Sequence, residues 1–115
     1  MPLLKIQTNV VLPADKADAL LSQGADLIVN EMNKPREYVQ VVVEPEVAIA
    51  FAGTREASAF VELRSLGLPE DAARLLSEKI CGLLEAQLAI PSARVFINFF
   101  DFPRPMWGWD GKTFA

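Results

Sequence analysis

Two stretches of the chain, Leu12-Pro13-Ala14-Asp15 and Leu68-Pro69-Glu70-Asp71, share a Leu-Pro-x-Asp pattern and lie 56 positions apart. In each half a second proline follows 22 residues after the first, Pro35 in one and Pro91 in the other. At the same offset there are further identities, all apolar: Ala17 with Ala73, Leu20 with Leu76, Leu27 with Leu83, and Val39 with Val95. Because both prolines keep their register, the pattern indicates the duplication of one structural unit.

The pattern of each half predicts a strand, a helix and a second strand. Hydrophobic periodicity predicts helices over Ala14–Glu31 and Glu70–Leu88. Alternation and β-branched residues predict strands over Leu3–Thr8, Tyr38–Glu44, Ala59–Ser65 and Val95–Asp101, with a shorter strand at Ala48–Phe51. The tail, 102–115, is predicted as loop with a short strand near Trp107–Trp109.

A strand–helix–strand unit joins parallel strands by a right-handed crossover. Two such units side by side predict an α+β fold: a four-stranded mixed sheet with two antiparallel helices on one face, plus short edge strands. The 115 residues suffice for one domain, 1–115, and leave no room for a separate cofactor domain.

The composition narrows the possible partners. The chain has 11 basic and 15 acidic residues, a net charge of −4 and a pI near 4.8, which argues against nucleic acid and anionic membrane surfaces. Apolar residues make up 51% and the mean hydropathy is +0.22. A domain this small buries only about two-thirds of its unfolded surface. The remaining apolar area favours an oligomer, which would bury it between subunits, over a monomer with an unusually apolar surface.

The chemistry available to the chain is also restricted. It has no histidine and a single cysteine, Cys81, which excludes Ser-His and Cys-His nucleophiles, imidazole metal sites and an internal disulfide. No apolar run reaches the roughly 18 residues of a membrane span, since Glu44 and Glu46 interrupt the most apolar stretch. The start, Met1–Lys5, lacks the order of a secretory signal, so a cytoplasmic location is expected.

The last long strand has two different faces. Val95, Ile97 and Phe99 alternate with Phe96, Asn98 and Phe100. The first, apolar set suits the side covered by helices. The second set is half aromatic and half polar, which fits a subunit interface or a wet central cavity in an oligomer.

With histidine absent, Pro2 becomes a candidate for proton chemistry. Methionine before a small residue is the usual signal for removal of the initiator methionine, and this would leave Pro2 with a free secondary amine. In an apolar pocket beside a cation, the pKa of such an amine falls toward neutrality, so that it can take a proton from carbon next to a carbonyl. The alternative is a processed terminus that merely leads into an edge strand.

Further motifs, in order and across essentially the full length, give the chain a family resemblance. They are Pro2-Leu3-Leu4-Lys5-Ile6-Gln7-Thr8-Asn9-Val10, Lys34-Pro35, Phe51-Ala52-Gly53, Ser65-Leu66-Gly67, Cys81-Gly82-Leu83-Leu84, Val95-Phe96-Ile97-Asn98-Phe99-Phe100-Asp101, Gly108-Trp109 and Thr113-Phe114-Ala115. Their joint order and spacing resembles the macrophage migration inhibitory factor family of the tautomerase superfamily.

The resemblance implies a homotrimer in which three sheets surround a central channel and the sites lie between neighbouring subunits. It also implies an isomerase that needs no cofactor or metal. The expected partners are small aromatic keto acids: the enzyme would catalyse keto–enol tautomerisation of arylpyruvates such as phenylpyruvate, and of dopachrome-like compounds.

The resemblance also suggests a role for individual residues. Pro2 matches the terminal-proline base. Lys34 matches the lysine that lowers the proline's pKa and holds the substrate's carboxylate or carbonyl oxygen, and Leu66 matches a residue that contacts substrate. Asn98 matches an asparagine that reaches over from the adjacent subunit. The remaining matches form an aromatic wall: Trp107, Trp109 and Phe114.

Three departures from animal members of the family bear on function. Phe96 stands where those members usually carry a tyrosine whose hydroxyl points into the pocket, so one hydrogen-bond donor is lost while the stacking surface remains. The segment 58–61 lacks their CxxC, which removes thiol–disulfide chemistry and leaves Cys81 as a buried helix thiol. Arg104, in a segment that borders the pocket, is either a contact for an anionic substrate or a solvated loop residue.

Two other functions are open from the sequence. One is a cytokine-like trimeric module that binds proteins and retains an idle pocket. The other is a different tautomerase-superfamily reaction, such as isomerisation of an unsaturated keto acid.

Overall fold

A four-stranded sheet with both helices on one face organises the chain, as described for all 115 residues by a computed structural model. The main elements are β1 (Leu3–Thr8), α1 (Ala14–Met32), β2 (Gln40–Glu44), β3 (Ala59–Leu66), α2 (Glu70–Leu88), β4 (Val95–Phe102), β5 (Gly108–Trp109) and β6 (Lys112–Thr113). Three single 3₁₀ turns lie at Arg36–Tyr38, Ser92–Arg94 and Arg104–Met106.

The duplication is confirmed element by element. In the sheet order β2-β1-β3-β4, β1 is parallel to β2 and β3 to β4, while β1 and β3 join the two halves as antiparallel neighbours. Both helices begin and end 56 positions apart, and so do their left-handed C-caps, Asn33 and Ala89. The predicted α+β fold with a mixed sheet and two helices is therefore correct.

The helices form because each repeats an apolar residue once per turn and directs that stripe at the sheet. The buried residues of α1 are Leu20, Gly24 and Ile28, and those of α2 are Leu76, Ile80 and Leu84. They pack on the buried side chains of the two central strands: Leu4, Ile6, Val61 and Leu63. Neither helix is long and apolar enough to cross a membrane.

Gly24 faces the sheet at a point of close approach between α1 and the strands β1 and β2. A Cβ atom added there would lie 3.2 Å from Cγ1 of Val41 and 3.3 Å from Cδ2 of Leu4. The absence of a side chain lets the helix approach β1 and β2 closely.

Two predicted strands need correction. The second strand begins at Gln40 instead of Tyr38, because residues 36–38 close a 3₁₀ turn after Pro35. The short strand predicted at Ala48–Phe51 does not form: its only ladder contact is an isolated bridge between Phe51 and Thr54. After β2 the chain is bonded back toward β1 (Val47 N–H to the Thr8 carbonyl, 3.0 Å), and residues 48–50 pair with no strand of the same chain. The short strand near Trp107–Trp109 is confirmed as β5, paired with β6.

The two faces of the sheet differ as the sequence predicted. Ile97 and Phe99 of β4 pack against the core, whereas Phe96 and Asn98 are exposed on the face without helices. The uncovered face also carries charged residues, which pair with one another: Arg64 Nη2 lies 2.9 Å from Glu62 Oε2, and its guanidinium lies over the Phe100 ring. A single chain therefore exposes a sheet face of mixed aromatic and charged residues.

Candidate functional site at the start of the first strand

A cavity of about 290 Å³ opens at the end of the sheet where β1 and β2 begin. Met1 and Pro2 lie at its base, and aromatic side chains form its wall. Its lining includes Met1, Pro2, Tyr38, Trp107, Trp109 and Phe114. Four of the residues predicted for the site are thus brought together here: Pro2 and the three aromatic residues of the tail.

Pro2 is held rigidly at the base of this cavity. Its side chain is fully buried. Its carbonyl oxygen accepts a hydrogen bond from the Gln40 backbone N–H at 3.1 Å, which extends the β1–β2 pairing by one residue. Proline has no N–H to leave unpaired at such a position.

Lys34 supplies the positive charge near the chain start. It follows the left-handed residue Asn33, which ends α1 and turns the chain back toward the sheet. The half-buried Lys34 Nζ donates a hydrogen bond to the Leu66 carbonyl oxygen at 3.2 Å, so these two predicted residues contact each other, but neither lines the cavity.

The electrostatics of the chain start follow from these neighbours. Burial lowers the pKa of the Met1 amine below its usual 8.0, and the charge of Lys34 lowers it further. Both effects disfavour the protonated amine. This end of the sheet thus holds an amine in its basic, uncharged form at a lower pH than open water does.

Tyr38 belongs to the site and was not among the predicted residues. Its ring meets the Trp109 ring edge-on at 5.4 Å and the Phe114 ring edge-on at 6.1 Å. Trp109 and Phe114 stack on each other at 5.8 Å with their planes 11° apart. The sequence signal was available: Tyr38 is the only tyrosine, and it lies four residues after Lys34 at the entry to a strand.

The tail presents its aromatic residues from a small hairpin. Asp110 and Gly111 both take left-handed φ values, 53° and 72°, which suits the two-residue turn between β5 and β6. Lys112 lies over the Trp109 ring, with Nζ 5.2 Å from the ring centre. The turn sequence thus explains why the tail folds back and lines the cavity.

Phe96 and Asn98 do not reach this cavity within one chain. Phe96 is level with Phe60 of β3 and Gln7 of β1, so it lies two strands away from β1 and four residues beyond Leu3. That separation is roughly 10 Å across the sheet and 13 Å along it. Phe96 is 65% exposed, and its ring centre lies 4.7 Å from that of Phe51 in the same chain. If these two residues serve the site, they do so from a second copy of the chain.

The other residues considered for chemistry lie outside the cavity. Cys81 is half-buried in α2, and burial raises the pKa of its thiol, with a smaller contribution from Glu85 in the same direction, against a lowering by Ser92. The unreactive thiol form is therefore favoured. Arg104 donates a hydrogen bond from Nε to the Phe114 carbonyl oxygen at 2.8 Å and does not line the cavity. No cluster of three or more His, Cys, Asp or Glu side chains has the arrangement to hold a metal ion.

Comparison with known proteins gives a consistent family relationship. The family model of macrophage migration inhibitory factor (MIF) matches residues 1–115. The macrophage migration inhibitory factor of Mus musculus is 35% identical over 116 residues, covering 100% of both chains.

Solved structures agree. A macrophage migration inhibitory factor homologue from Prochlorococcus marinus superposes with a TM-score of 0.94 at 36% identity, covering 98% of this chain and 99% of that one. The macrophage migration inhibitory factor from Trichinella spiralis superposes with a TM-score of 0.89 at 30% identity, covering 97% and 99% respectively.

Proposed function

The chain belongs to the macrophage migration inhibitory factor family, and from that premise we propose that it is a tautomerase that interconverts the keto and enol forms of arylpyruvates such as phenylpyruvate. Pro2 is the base, and no cofactor takes part. Dopachrome-like compounds are a second substrate class for the same pocket.

The observation that carries the proposal is the lowered pKa of the amine at the chain start. Burial and Lys34 both act on the Met1 nitrogen. Once the initiator methionine is removed, the terminal amine is that of Pro2, one residue deeper in the same cavity, where the side chain is fully buried. The same two effects then favour a neutral proline nitrogen at a pH where an ordinary amine is protonated.

The reaction follows from where the charges lie. The neutral Pro2 nitrogen takes a proton from the carbon next to the substrate's carbonyl. The C–H electron pair forms the carbon–carbon double bond, while the carbonyl π pair moves onto oxygen. Lys34 stabilises the negative charge that develops on this oxygen. The proton on Pro2 is then returned to oxygen, which gives the enol, and the reverse steps give the keto form.

The aromatic wall fits the organic part of such a substrate. Trp109, Phe114 and Tyr38 offer ring faces and edges within a cavity of about 290 Å³, which suits one phenyl ring and a short acid chain. Lys34 offers the cation for the carboxylate or carbonyl oxygen. Leu66 contributes through its position beside Lys34.

The working assembly is proposed to be a homotrimer with sites between subunits. Asn98 and Phe96 are exposed on the open sheet face and too far from Pro2 to act in the same chain. A neighbouring copy that covers this face brings them to the cavity and removes the exposed aromatic surface from water. Asn98 then helps to hold the substrate's oxygen, and Phe96 adds a ring to the wall.

A variant series at the chain start tests the proposal. Wild-type protein, with loss of Met1 verified by mass spectrometry, is compared with Pro2→Gly and with a form that carries one extra alanine between Met1 and Pro2. Both changes alter or displace the basic nitrogen and leave the core of the sheet intact. We expect phenylpyruvate tautomerisation to fall by about 100-fold or more, the usual contribution of a general base. Equal rates in the three proteins would remove Pro2 from the mechanism.

A further inference from the structure

The wall of the cavity rests on a very small structural element. β5 and β6 have two residues each, yet this hairpin and the residues that flank it carry three of the cavity's aromatic side chains: Trp107, Trp109 and Phe114. A two-stranded hairpin is at best marginally stable in water by itself. Something outside the hairpin must therefore fix the wall in place.

Backbone hydrogen bonds supply part of this support. The Phe114 N–H donates to the Trp107 carbonyl oxygen at 3.2 Å, and the Trp107 N–H donates to the Arg104 carbonyl oxygen at 3.4 Å. These bonds join the hairpin to the 3₁₀ turn Arg104–Met106 that precedes it. The Phe114 carbonyl oxygen accepts no hydrogen bond from the backbone.

Arg104 supplies that partner. Its Nε–H donates to the Phe114 carbonyl oxygen at 2.8 Å, and no other side chain outside residues 107–115 hydrogen-bonds to this segment. Pro103 and Pro105 flank Arg104, and because their rings fix φ they stiffen the backbone from which the guanidinium reaches out. Phe114 is thus held on its N–H side by Trp107 and on its carbonyl side by Arg104.

We propose that Arg104 is a positioning residue that fixes Phe114, and through the Phe114–Trp109 stack the aromatic wall, without touching the substrate. The guanidinium is exposed and does not line the cavity. Phe114 stacks on Trp109 at 5.8 Å, and Tyr38 contacts both rings edge-on. A displacement of Phe114 would therefore also displace Trp109. The sequence allowed two roles for Arg104, contact with an anionic substrate or solvation in a loop. The geometry favours neither, because Arg104 does not line the cavity and its guanidinium is hydrogen-bonded to the Phe114 carbonyl oxygen.

The kinetic test rests on the proposed tautomerase activity and separates positioning from charge recognition. In Arg104→Ala, the loss of one hydrogen bond is expected to raise KM by about 2- to 12-fold with a smaller effect on kcat. The rise is expected to be the same for phenylpyruvate and for its uncharged methyl ester. A rise confined to the acid means that Arg104 binds the carboxylate, and it overturns the proposal. Arg74→Ala, an exposed arginine on α2, is the matched control.

A second test needs no turnover, so it stands even if the tautomerase proposal fails. The chain has two tryptophans, and both lie in the wall. In Arg104→Ala, tryptophan emission is expected to move to longer wavelength and acrylamide to quench it faster, while Arg74→Ala stays at the wild-type values. Unchanged emission and quenching in Arg104→Ala would show that the wall holds without this residue.

The conservative variant Arg104→Lys completes the series. Lysine keeps the charge and can donate one hydrogen bond, but it lacks the rigid planar group. Both KM and quenching are expected to lie between those of the wild type and Arg104→Ala. A lysine variant with wild-type KM and a wall as accessible as in Arg104→Ala overturns the proposal, since charge alone would then explain the kinetics.

Discussion

Lys34 Nζ donates a hydrogen bond to the carbonyl oxygen of Leu66 at 3.2 Å, and this bond links the two halves of the duplicated chain at one end of the sheet. Lys34 follows the helix of the first half, whereas Leu66 ends the first strand of the second half. The bond holds the ammonium group close enough to the chain start to lower the pKa of the amine there. The charge of the site is therefore fixed by a contact between the repeats.

The pH dependence of the proposed reaction tests whether Lys34 lowers the pKa of the terminal amine. Because a lowered pKa leaves the proline nitrogen neutral at lower pH, kcat/KM is expected to rise with pH through a midpoint below that of an ordinary terminal amine, about 8. In Lys34→Gln the neighbouring cation is gone, so the proline's pKa rises and the midpoint moves to higher pH. The measurement is kcat/KM for phenylpyruvate between pH 5 and 9.5.

The control for this profile is Lys79→Gln, which removes an exposed lysine from α2. It is expected to keep the wild-type midpoint. A Lys34→Gln midpoint equal to that of the control would contradict the electrostatic role of Lys34, whatever happens to the maximal rate.

The proposed homotrimer, with its sites between subunits, predicts complementation between two inactive variants. Pro2→Gly and Asn98→Ala are each expected to have low activity alone. When the two are unfolded together and refolded as mixed trimers, some sites combine an intact Pro2 from one chain with an intact Asn98 from its neighbour. Random assembly makes about one quarter of sites intact. Recovery of that share of wild-type activity is expected, and a mixture no more active than the sum of its parts would place each site within one chain.

Phe96→Tyr tests the proposed contribution of the Phe96 ring to the site of a neighbouring subunit. The substitution adds one hydroxyl donor at an exposed ring and leaves its contact with Phe51 available. A hydrogen bond to the substrate's oxygen is worth about 0.5–1.5 kcal/mol, so kcat/KM for phenylpyruvate is expected to rise about 2- to 12-fold. Phe60→Tyr, one strand across the sheet, is the control and is expected to change nothing. An equal effect in both variants would mean that Phe96 does not face the site.

The two helical glycines offer a matched test of helix–sheet packing. Nothing lies within 4 Å of a Cβ added at Gly82, so Gly82→Ala is expected to raise the free energy of unfolding by about 0.5–1 kcal/mol through helix propensity. At Gly24 the added methyl meets Val41 and Leu4, and overpacking costs about 1–3 kcal/mol. Gly24→Ala is therefore expected to lower stability by about 1 kcal/mol. Urea denaturation measures both, and a Gly24→Ala protein as stable as Gly82→Ala would show that α1 can move off the sheet.

The architecture of the fold could be predicted from local sequence patterns. The offset of 56 residues, the paired prolines and the apolar stripes sufficed for two strand–helix–strand units, because short-range periodicity and turn residues act within each unit. The same local signals correctly assigned one face of β4 to the core, and they predict that a partner covers the other. They failed at 48–51, where an apolar run resembled a strand, because strand formation depends on a pairing partner that the local sequence does not reveal.

The composition of the candidate site depends on how distant elements pack together. Local patterns carry no measure of the distance between Pro2, Lys34 and the tail, which are separated by tens of residues. These residues come near one another because three strand ends and a returning hairpin lie at the same end of the sheet. Tyr38 entered the site through that arrangement, and Asn98 and Phe96 were shown to lie outside it in a single chain. Local preferences fix each element, whereas the position of one element against another depends on long-range packing, and catalytic geometry is a property of that packing.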